Sequence, residues 1–170
     1  VATVMSNFGF FKALDDANIN YEKTAVGDKY VYENMVTNGH SLGGEQSGHI
    51  IFREFATTGD GQLTAVQLLS IMVKEKKSLS ELASVMTKAP QTMINLTISA
   101  NGKRLFYTDA AIKKAIDDAS AELGSTGRIV VRPSGTEPLI RVMAEGEDIE
   151  FIENIAKNVA DVIQERLGNK

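Results

Sequence analysis

The first third of the chain alternates short apolar runs with a segment of helical periodicity. Residues 1–5 and 19–25 have the composition of strands. Between them, the apolar positions of residues 8–17 recur at helical spacing, and Ser6 and Asn7 before them are favourable N-cap residues. The pattern predicts a strand, a helix and a second strand.

The segment up to residue 90 predicts a further helix, two strands and two more helices. Residues 27–38 form the first helix, which Gly39 closes, and the glycine-rich residues 40–52 have a strand-like run at each end. Asp60 and Ser78 are the predicted N-caps of the last two helices. In the helix after Asp60, apolar side chains recur at helical spacing, at Leu63, Val66, Leu69 and Val73.

The pattern changes after Pro90, which we interpret as a domain boundary. Residues 92–98 alternate as a half-buried antiparallel strand does, with one apolar face formed by Ile94, Leu96 and Ile98. Thr108 is the predicted N-cap of an amphipathic helix that ends at Gly124. The boundary and the alternation together indicate a second sheet.

Two strands and a final helix complete the chain. Residues 127–131 and 139–146 are predicted strands, and Asp148 is the predicted N-cap of the last helix. The residues of this helix that should be buried are Ile152, Ile155, Val159, Ile163 and Leu167. The second half of the chain is thus expected to contain one sheet and two helices.

The predicted fold class is α/β plus α+β. Residues 1–90 form a partial three-layer α/β domain, and residues 91–170 form a small sheet-and-helix domain. Because residues 1–5 already resemble a buried strand, we expect the chain to be a fragment whose upstream part is missing.

The amino-acid composition argues against several classes of function. An apolar content of 43% predicts a packed core, and a net charge of -4 with a pI near 5.3 argues against nucleic acid as a partner. The chain has no cysteine, which excludes disulfides and thiol catalysis. It has no long apolar run and no signal peptide pattern, so we expect a cytoplasmic protein that does not bind membranes.

The densest group of chemically useful residues lies between the last two predicted strands. Arg132 and Arg141 flank two hydroxyl residues, Ser134 and Thr136, and Gly135 allows either close approach of a ligand to the backbone or a positive φ. Guanidinium groups, hydroxyls and exposed N–H groups suit a phosphate dianion. The alternative is an ordinary hairpin turn with two surface arginines.

A second polar group lies in the glycine-bounded residues 43–49. Glu45, Ser47 and His49 supply a carboxylate, a hydroxyl and an imidazole at close range, which suits recognition of sugar hydroxyls. The alternative is a tight hairpin loop with solvated side chains. A Glu-His pair is not by itself evidence of acid/base catalysis, because geometry decides that role.

Three other polar residues have simpler interpretations. Asp60 in residues 57–61 is better explained as an N-cap than as a metal ligand. Lys29 is better explained as a surface lysine, and His40 as a solvated loop histidine.

Taken together, these motifs resemble those of the α-D-phosphohexomutase superfamily. Their residue sequences are most similar to those of its phosphoglucosamine mutase branch. The matching segments occur in the family's order over the whole chain, at residues 1–7, 26–35, 43–49, 57–61 and 132–146.

The resemblance implies an enzyme of four domains. Its members interconvert hexose or hexosamine 6- and 1-phosphates through a phosphoserine and a bisphosphorylated sugar, with Mg²⁺. This chain corresponds to the latter part of the third domain and to the fourth, TATA-box-binding-protein-like domain. The family's phosphoserine loop and its Asp-Gly-Asp-x-Asp-Arg metal loop have no match here. The resemblance therefore implies that the chain alone holds no catalytic residue, metal or cofactor and is inactive, whereas Mg²⁺ and a hexosamine 1,6-bisphosphate belong to the intact enzyme.

The resemblance also assigns site residues. Glu45 and Ser47 match the family's contacts to sugar hydroxyls, with His49 beside them. Five residues match the family's phosphate clamp, which holds the phosphate that is not being transferred. They are Arg132, Ser134, Gly135, Thr136 and Arg141.

The expected partners are glucosamine phosphates that feed cell-wall amino sugar supply. We expect this chain to be a monomer and the intact enzyme to be a homodimer. Two alternatives stay open: a phosphomannomutase or phosphoglucomutase fragment, and a sugar-phosphate-binding module without catalysis. A nucleic-acid-binding domain is disfavoured by the acidic charge.

Overall fold

The computed structural model of the protein describes residues 1–168. The chain divides into two compact units, Val1–Lys88 and Ala89–Lys170. The first unit has the element order β-α-β-α-β-β-α-α that the sequence predicts.

Four strands of the first unit form one mixed sheet in the order β2-β1-β3-β4. The parallel pairs are β1–β2 and β1–β3, and β3–β4 is an antiparallel hairpin. The elements are β1 (Ala2–Thr3), α1 (Phe8–Asp16), β2 (Lys23–Thr24), α2 (Asp28–Asn38), β3 (Leu42–Gly44), β4 (Ile50–Phe52), α3 (Gly61–Glu75) and α4 (Leu79–Ala83).

Local hydrogen bonds begin and end these helices. The side chains of Asn7 and Asp60 accept hydrogen bonds from the first turns of α1 and α3, and Ser78 forms a capping box with Glu81 before α4. Gly39 closes α2 in the left-handed conformation. These caps confirm the helix starts and stops predicted around residues 7, 39, 60 and 78.

The buried cluster of the first unit is small. It consists of Val31 and Met35 from α2 and Ile51 from β4. The helix α3 forms as predicted, but none of its described residues is buried, and Val66 and Val73 are 61% and 78% exposed. Helical spacing of apolar residues predicted the helix correctly but did not establish what covers its apolar face.

The second unit contains a three-stranded antiparallel sheet in the order β5-β7-β6. Three helices accompany it. The elements are β5 (Gln91–Thr97), α5 (Ala100–Leu105), α6 (Ala110–Leu123), β6 (Gly127–Pro133), β7 (Leu139–Gly146) and α7 (Ile149–Leu167).

One face of this sheet packs against the helices. The central strand β7 contributes Ile140, Val142 and Ala144 to a single core with α6 and α7. The predicted core residues of α7 are all buried, and Ile94, Leu96 and Ile98 pack together against or within that core as the alternation predicted. The mixed α/β unit and the sheet-and-helix unit confirm the predicted fold class.

Two details of the second unit differ from the sequence prediction. The helix α5 was not predicted, because the dipeptide Asn101-Gly102 is a turn signal. The N-cap of α6 is Asp109, not Thr108. The Asp109 carboxylate accepts from the N–H groups of Ala111 and Ile112, whereas the Thr108 hydroxyl donates to a carbonyl of α5.

Across residues 1–168, no helix combines the length and the apolar character needed to cross a bilayer. The apolar stripe of α7, which is 19 residues long, faces the core, and charged residues occupy the rest of its surface.

Candidate functional site

Residues 134–138 form a closed turn between β6 and β7. The Ser134 N–H donates to the Leu139 carbonyl at 2.8 Å, and the Glu137 N–H donates to the Ser134 hydroxyl at 3.2 Å. Ser134 is 4% exposed, whereas Gly135 and Thr136 are exposed. The turn therefore buries its first hydroxyl and presents its next two residues to solvent.

Arg132 and Arg141 lie directly opposite each other on β6 and β7. Ile140 and Val142, the neighbours of Arg141 on β7, are buried in the core, so Arg141 lies on the face of the sheet away from the helices. Arg132 is paired directly with Arg141 and therefore lies on the same face. Two like charges at opposed positions of an antiparallel pair repel each other. This arrangement costs stability unless an anion lies between or beside them.

Arg132 differs from the other arginine on its strand. Arg128, four residues earlier on the same face, forms an ion pair of 2.6 Å with Glu145, which is fully buried. Within the described chain, no carboxylate pairs with Arg132, and its buried Nε has no hydrogen-bond partner. Burial lowers the pKa of the Arg132 guanidinium, and the charge of Arg141 lowers it further. An unpaired, half-buried cation of this kind is suited to bind an anion.

Arg141 has a partner in the turn. Its Nη2 forms an ion pair with the Glu137 carboxylate, which is about half exposed. Its buried Nε has no hydrogen-bond partner in residues 1–168. An anion that approaches the turn would compete with Glu137 for this guanidinium.

Gly135 and Thr136 supply the free backbone donors of the turn. Within residues 1–168, their N–H groups form no hydrogen bond, whereas those of Ser134, Glu137 and Leu139 do. The φ of Gly135 is not positive, so the positive-φ explanation for this glycine is wrong. No atom lies within 4 Å of the position of a Cβ added at Gly135, which leaves the close-approach explanation.

Lys103 is a residue of this region that the sequence reasoning missed. Its Nζ donates to the carbonyl oxygens of Ser134 and Glu137, the second at 2.9 Å. The lysine lies 31 and 34 residues from these partners, on the helix that was not predicted.

The other predicted site residues lie in the β3–β4 hairpin of the first unit. The hydroxyl of Ser47 lies 2.9 Å from Nδ1 of His49 and 3.3 Å from Oε2 of Glu45. The other carboxylate oxygen of Glu45 accepts from the N–H of Gly27 at 2.8 Å, just before α2. The hairpin thus joins all three side chains in one hydrogen-bonded chain, with Ser47 and His49 exposed to solvent.

The loop of residues 57–61 packs beside this hairpin. A Cβ at Gly59 would lie 3.1 Å from the Cβ of His49, so the glycine permits this close contact. Asp60 donates its N–H to the Ile50 carbonyl and accepts from Leu63 as an N-cap. The N-cap interpretation of Asp60 is confirmed.

Two further polar residues have partners of their own. Lys29 is a surface lysine, as expected, with its Nζ 3.7 Å from Glu33. His40, which we expected to be a solvated loop histidine, instead has its Nε2 3.2 Å from Oε1 of Glu22. Hydrogen bonds from Asn34 and then His40 lower the pKa of the Glu22 carboxyl.

The residues present do not fit a Mg²⁺ site. Mg²⁺ needs several oxygen ligands in a nearly octahedral arrangement. Among residues 1–168, no three His, Asp or Glu side chains converge on a point that could hold a metal ion. Asp60 is occupied as a helix cap.

An open groove of about 620 Å³ lies beside the hairpin within the first unit. Glu45 and Gln46 form part of its wall, but Phe10, Leu14 and Ile19 make much of the remainder apolar. His40 and Lys88 also line this groove.

The fold and the two polar loops define a class of protein: an α/β unit with a hydroxyl- and carboxylate-bearing hairpin, followed by an α+β unit whose turn lies beside two opposed arginines. Two family descriptions match this chain. "Phosphoglucomutase/phosphomannomutase, alpha/beta/alpha domain III" matches residues 1–89, and "Phosphoglucomutase/phosphomannomutase, C-terminal domain" matches residues 68–162. The chain belongs to the phosphoglucomutase/phosphomannomutase family.

Curated relatives include the phosphoglucosamine mutases of Arthrobacter sp. (strain FB24) and Brevibacillus brevis. They are 54% and 49% identical to the chain over 99% and 98% of its length. The chain spans 37% of the length of each of these relatives.

Solved structures have the same fold. The N-acetylphosphoglucosamine mutase of Aspergillus fumigatus superimposes with a TM-score of 0.82 at 17% identity, over 96% of this chain and 38% of that one. An N-acetylglucosamine-phosphate mutase of the α-D-phosphohexomutase superfamily, in its substrate complex, gives 0.75 at 22% identity, over 95% and 38%.

Proposed function

We propose that the chain is the substrate-binding part of a phosphoglucosamine mutase. The whole enzyme interconverts glucosamine 6-phosphate and glucosamine 1-phosphate in the cytoplasm. The observation that carries this proposal is Arg132, a half-buried guanidinium without an anionic partner among the described residues, opposite Arg141. The phosphoglucosamine mutases that are 49% and 54% identical over nearly the whole chain support the choice of substrate.

The turn of residues 134–138 acts as the phosphate clamp. A phosphate dianion would accept hydrogen bonds from the Arg132 guanidinium and from the free N–H groups of Gly135 and Thr136. It would also displace Glu137 from Arg141, because a dianion is the stronger partner for a guanidinium. The clamp holds the phosphate that is not being transferred, so the sugar can bind in either orientation.

The hairpin of the first unit recognises the sugar hydroxyls. Glu45 is oriented by the Gly27 N–H and offers its second oxygen as an acceptor. Ser47 and His49 are exposed and supply groups that both donate and accept hydrogen bonds. Such groups distinguish a polyhydroxylated sugar from an inorganic anion.

The chemistry belongs to segments outside these 170 residues. In the proposed reaction, a phosphoserine transfers its phosphoryl group to the free sugar hydroxyl, whose proton is lost, and a hexosamine 1,6-bisphosphate forms. The other phosphoryl group then returns to the serine. The sequence contains neither the serine loop nor the aspartate-rich Mg²⁺ loop of the resemblance, so the chain alone is expected to be an inactive monomer.

The test is a titration of the isotope-labelled chain followed by backbone amide shifts. Glucosamine 6-phosphate should shift Gly135 and Thr136, with weaker shifts in residues 43–49. Inorganic phosphate should shift only the clamp, and glucosamine only the hairpin. Arg132→Met should remove the clamp shifts while Lys157→Met, at an exposed pair with Asp161, should retain them.

Absence of any shift with millimolar glucosamine 6-phosphate would contradict the proposal for this chain. Equal shifts with mannose 6-phosphate would favour the phosphomannomutase or phosphoglucomutase alternative. Turnover of both substrates by the whole enzyme would then decide the specificity.

A further inference from the structure

Lys103 joins α5 to the turn of residues 134–138. Its half-buried side chain donates to two backbone carbonyls of that turn, those of Ser134 and Glu137. The Glu137 carbonyl also accepts from the Leu139 N–H at 2.9 Å. Hydrogen bonds from a charged donor are stronger than those from a neutral one, so the ammonium fixes the conformation of the turn.

The geometry of the peptide group links this contact to the anion-binding donors. The Ser134 carbonyl and the Gly135 N–H belong to one planar peptide unit, and no peptide bond of the described chain is cis. In a trans peptide these two groups point in opposite directions. Because the carbonyl binds Lys103, the Gly135 N–H is directed away from Lys103, where no group of residues 1–168 accepts it.

The same contact strengthens that donor. A cation on the carbonyl oxygen polarises the peptide group and makes its N–H more acidic, as in other chains of hydrogen bonds. Through this polarisation, Lys103 would increase the affinity of the Gly135 N–H for an anion without contacting the anion itself.

The position of Lys103 is determined by close packing of α5. Gly102 lies so near Ile98 that an added Cβ would be 2.4 Å from its Cγ2, and the Ser99 side chain caps the helix at the Gly102 N–H. Ile98 also donates its N–H to the Pro138 carbonyl at 2.9 Å. The end of β5 thus anchors both α5 and the turn.

We propose that Lys103 is a positioning residue of the phosphate clamp, which keeps the Gly135 N–H directed at a bound phosphate monoester. This inference rests on the proposed function of residues 134–138. It predicts an effect of Lys103 on the turn before any ligand is added.

The experiment compares three variants of the full chain. Lys103→Met removes the ammonium at similar length, Lys103→Arg retains a cation, and Arg104→Met removes a positive charge from the next, exposed position of α5. The probes are inorganic phosphate and glucosamine 6-phosphate, with affinity measured by calorimetry and the ligand-free Gly135 and Thr136 amide resonances by NMR.

Lys103→Met should bind both probes about tenfold more weakly, which is the usual effect of losing a charge-assisted hydrogen bond. Its Gly135 resonance should shift and broaden without ligand, and strand resonances of β5 and β7 should not change. Lys103→Arg should recover much of the affinity, and Arg104→Met should resemble the unaltered chain.

Two results would overturn the inference, in distinguishable ways. If the unaltered chain binds phosphate and Lys103→Met binds it equally well, the positioning role of Lys103 is wrong. The proposed phosphate binding by residues 134–138 is then not contradicted. If the unaltered chain binds neither probe, the proposed function fails, and the role of Lys103 toward phosphate fails with it. Equal weakening by Arg104→Met would reduce the effect to general electrostatics and would also overturn the role.

Discussion

The two units carry their candidate loops on cores of very different size. In the described part of the second unit, fourteen buried residues form one continuous core from Ile98 to Leu167. The buried cluster of the first unit has three residues, Val31, Met35 and Ile51, and its α3 leaves apolar side chains exposed. The turn proposed as a phosphate clamp therefore projects from a well-packed sheet, whereas the hairpin proposed to bind hydroxyls is itself part of a small core.

Because of this difference, substitutions in the two candidate loops should affect stability differently. In the second unit, the residues of the turn can change while the core stays intact, because Gly135 and Thr136 contact solvent. In the first unit, Gly43 of the hairpin is buried against α2. Substitutions near the hairpin should therefore affect stability as well as affinity.

The largest expected effect is in the core of the second unit. Ile163→Ala removes a side chain that is fully buried, and should lower the free energy of unfolding by about 2–5 kcal/mol. Urea unfolding followed by NMR signals of β7 measures it. The matched change on the first unit's exposed helix face, Val73→Ala, should stay within about 0.5 kcal/mol. A comparable loss in Val73→Ala would show that α3 is covered after all.

The second largest expected effect tests whether the β3–β4 hairpin contributes to the core of the first unit. A Cβ at Gly43 would lie 2.4 Å from Met35 Sδ and 2.6 Å from Val31 Cγ1. Gly43→Ala should destabilise the first unit by about 1–3 kcal/mol through overpacking. Amide exchange in α2 should report this loss, and β7 should exchange as before. Unchanged protection in α2 would mean that the small core repacks freely.

The corresponding change in the second unit should have little effect on the fold. Gly135→Ala meets no atom within 4 Å and needs no positive φ, so the unfolding free energy should change by less than about 0.5 kcal/mol. If phosphate approaches this backbone closely, affinity should nevertheless fall by about tenfold, the loss of one charge-assisted hydrogen bond. Calorimetry with inorganic phosphate checks this, and unaltered affinity would show that Gly135 is only a turn residue.

The smallest expected effect is a pH dependence within the second unit. The hydrogen bond from Arg166, followed by those from Ile112 and Ala111, lowers the pKa of the Asp109 carboxyl below its usual value near 3.8. A lowered folded-state pKa stabilises the fold above the unfolded-state pKa, and this contribution is lost as the pH falls through the folded-state value. Asp109→Asn should therefore lower Tm slightly at pH 7 and flatten the Tm profile below about pH 4.

A matched variant controls for charge in that measurement. Asp118→Asn also removes one negative charge, from an exposed pair with Lys114 on the same helix α6. Exposed pairs of this kind contribute little, so its Tm at pH 7 should change less than that of Asp109→Asn. An Asp109→Asn profile that parallels the unaltered chain below pH 4 would show that the carboxyl contributes nothing there.

The local sequence was sufficient to predict most of the helices and strands of both units. Caps such as Asn7, Asp60 and Asp148 are short-range hydrogen bonds within a few residues, and the apolar stripe of α7 follows from helical periodicity alone. The α/β and α+β fold class and the family resemblance follow from the same information. The candidate residues at positions 45–49 and 132–141 were also identifiable from the sequence, since their chemical types and spacing are visible there, although their binding roles remain proposals.

Tertiary structure decided what the local patterns could not. The register of β6 on β7 places Arg132 opposite Arg141 and Arg128 opposite Glu145, so one arginine is paired and the other is not. Lys103 contacts the turn of residues 134–138 from more than thirty residues away in the sequence, and no local signal encodes that contact. The exposure of α3 depends on which elements cover it. Local hydrogen bonds and periodicity can be read within a few residues, whereas pairing, burial and long-range charge contacts exist only once the chain has folded.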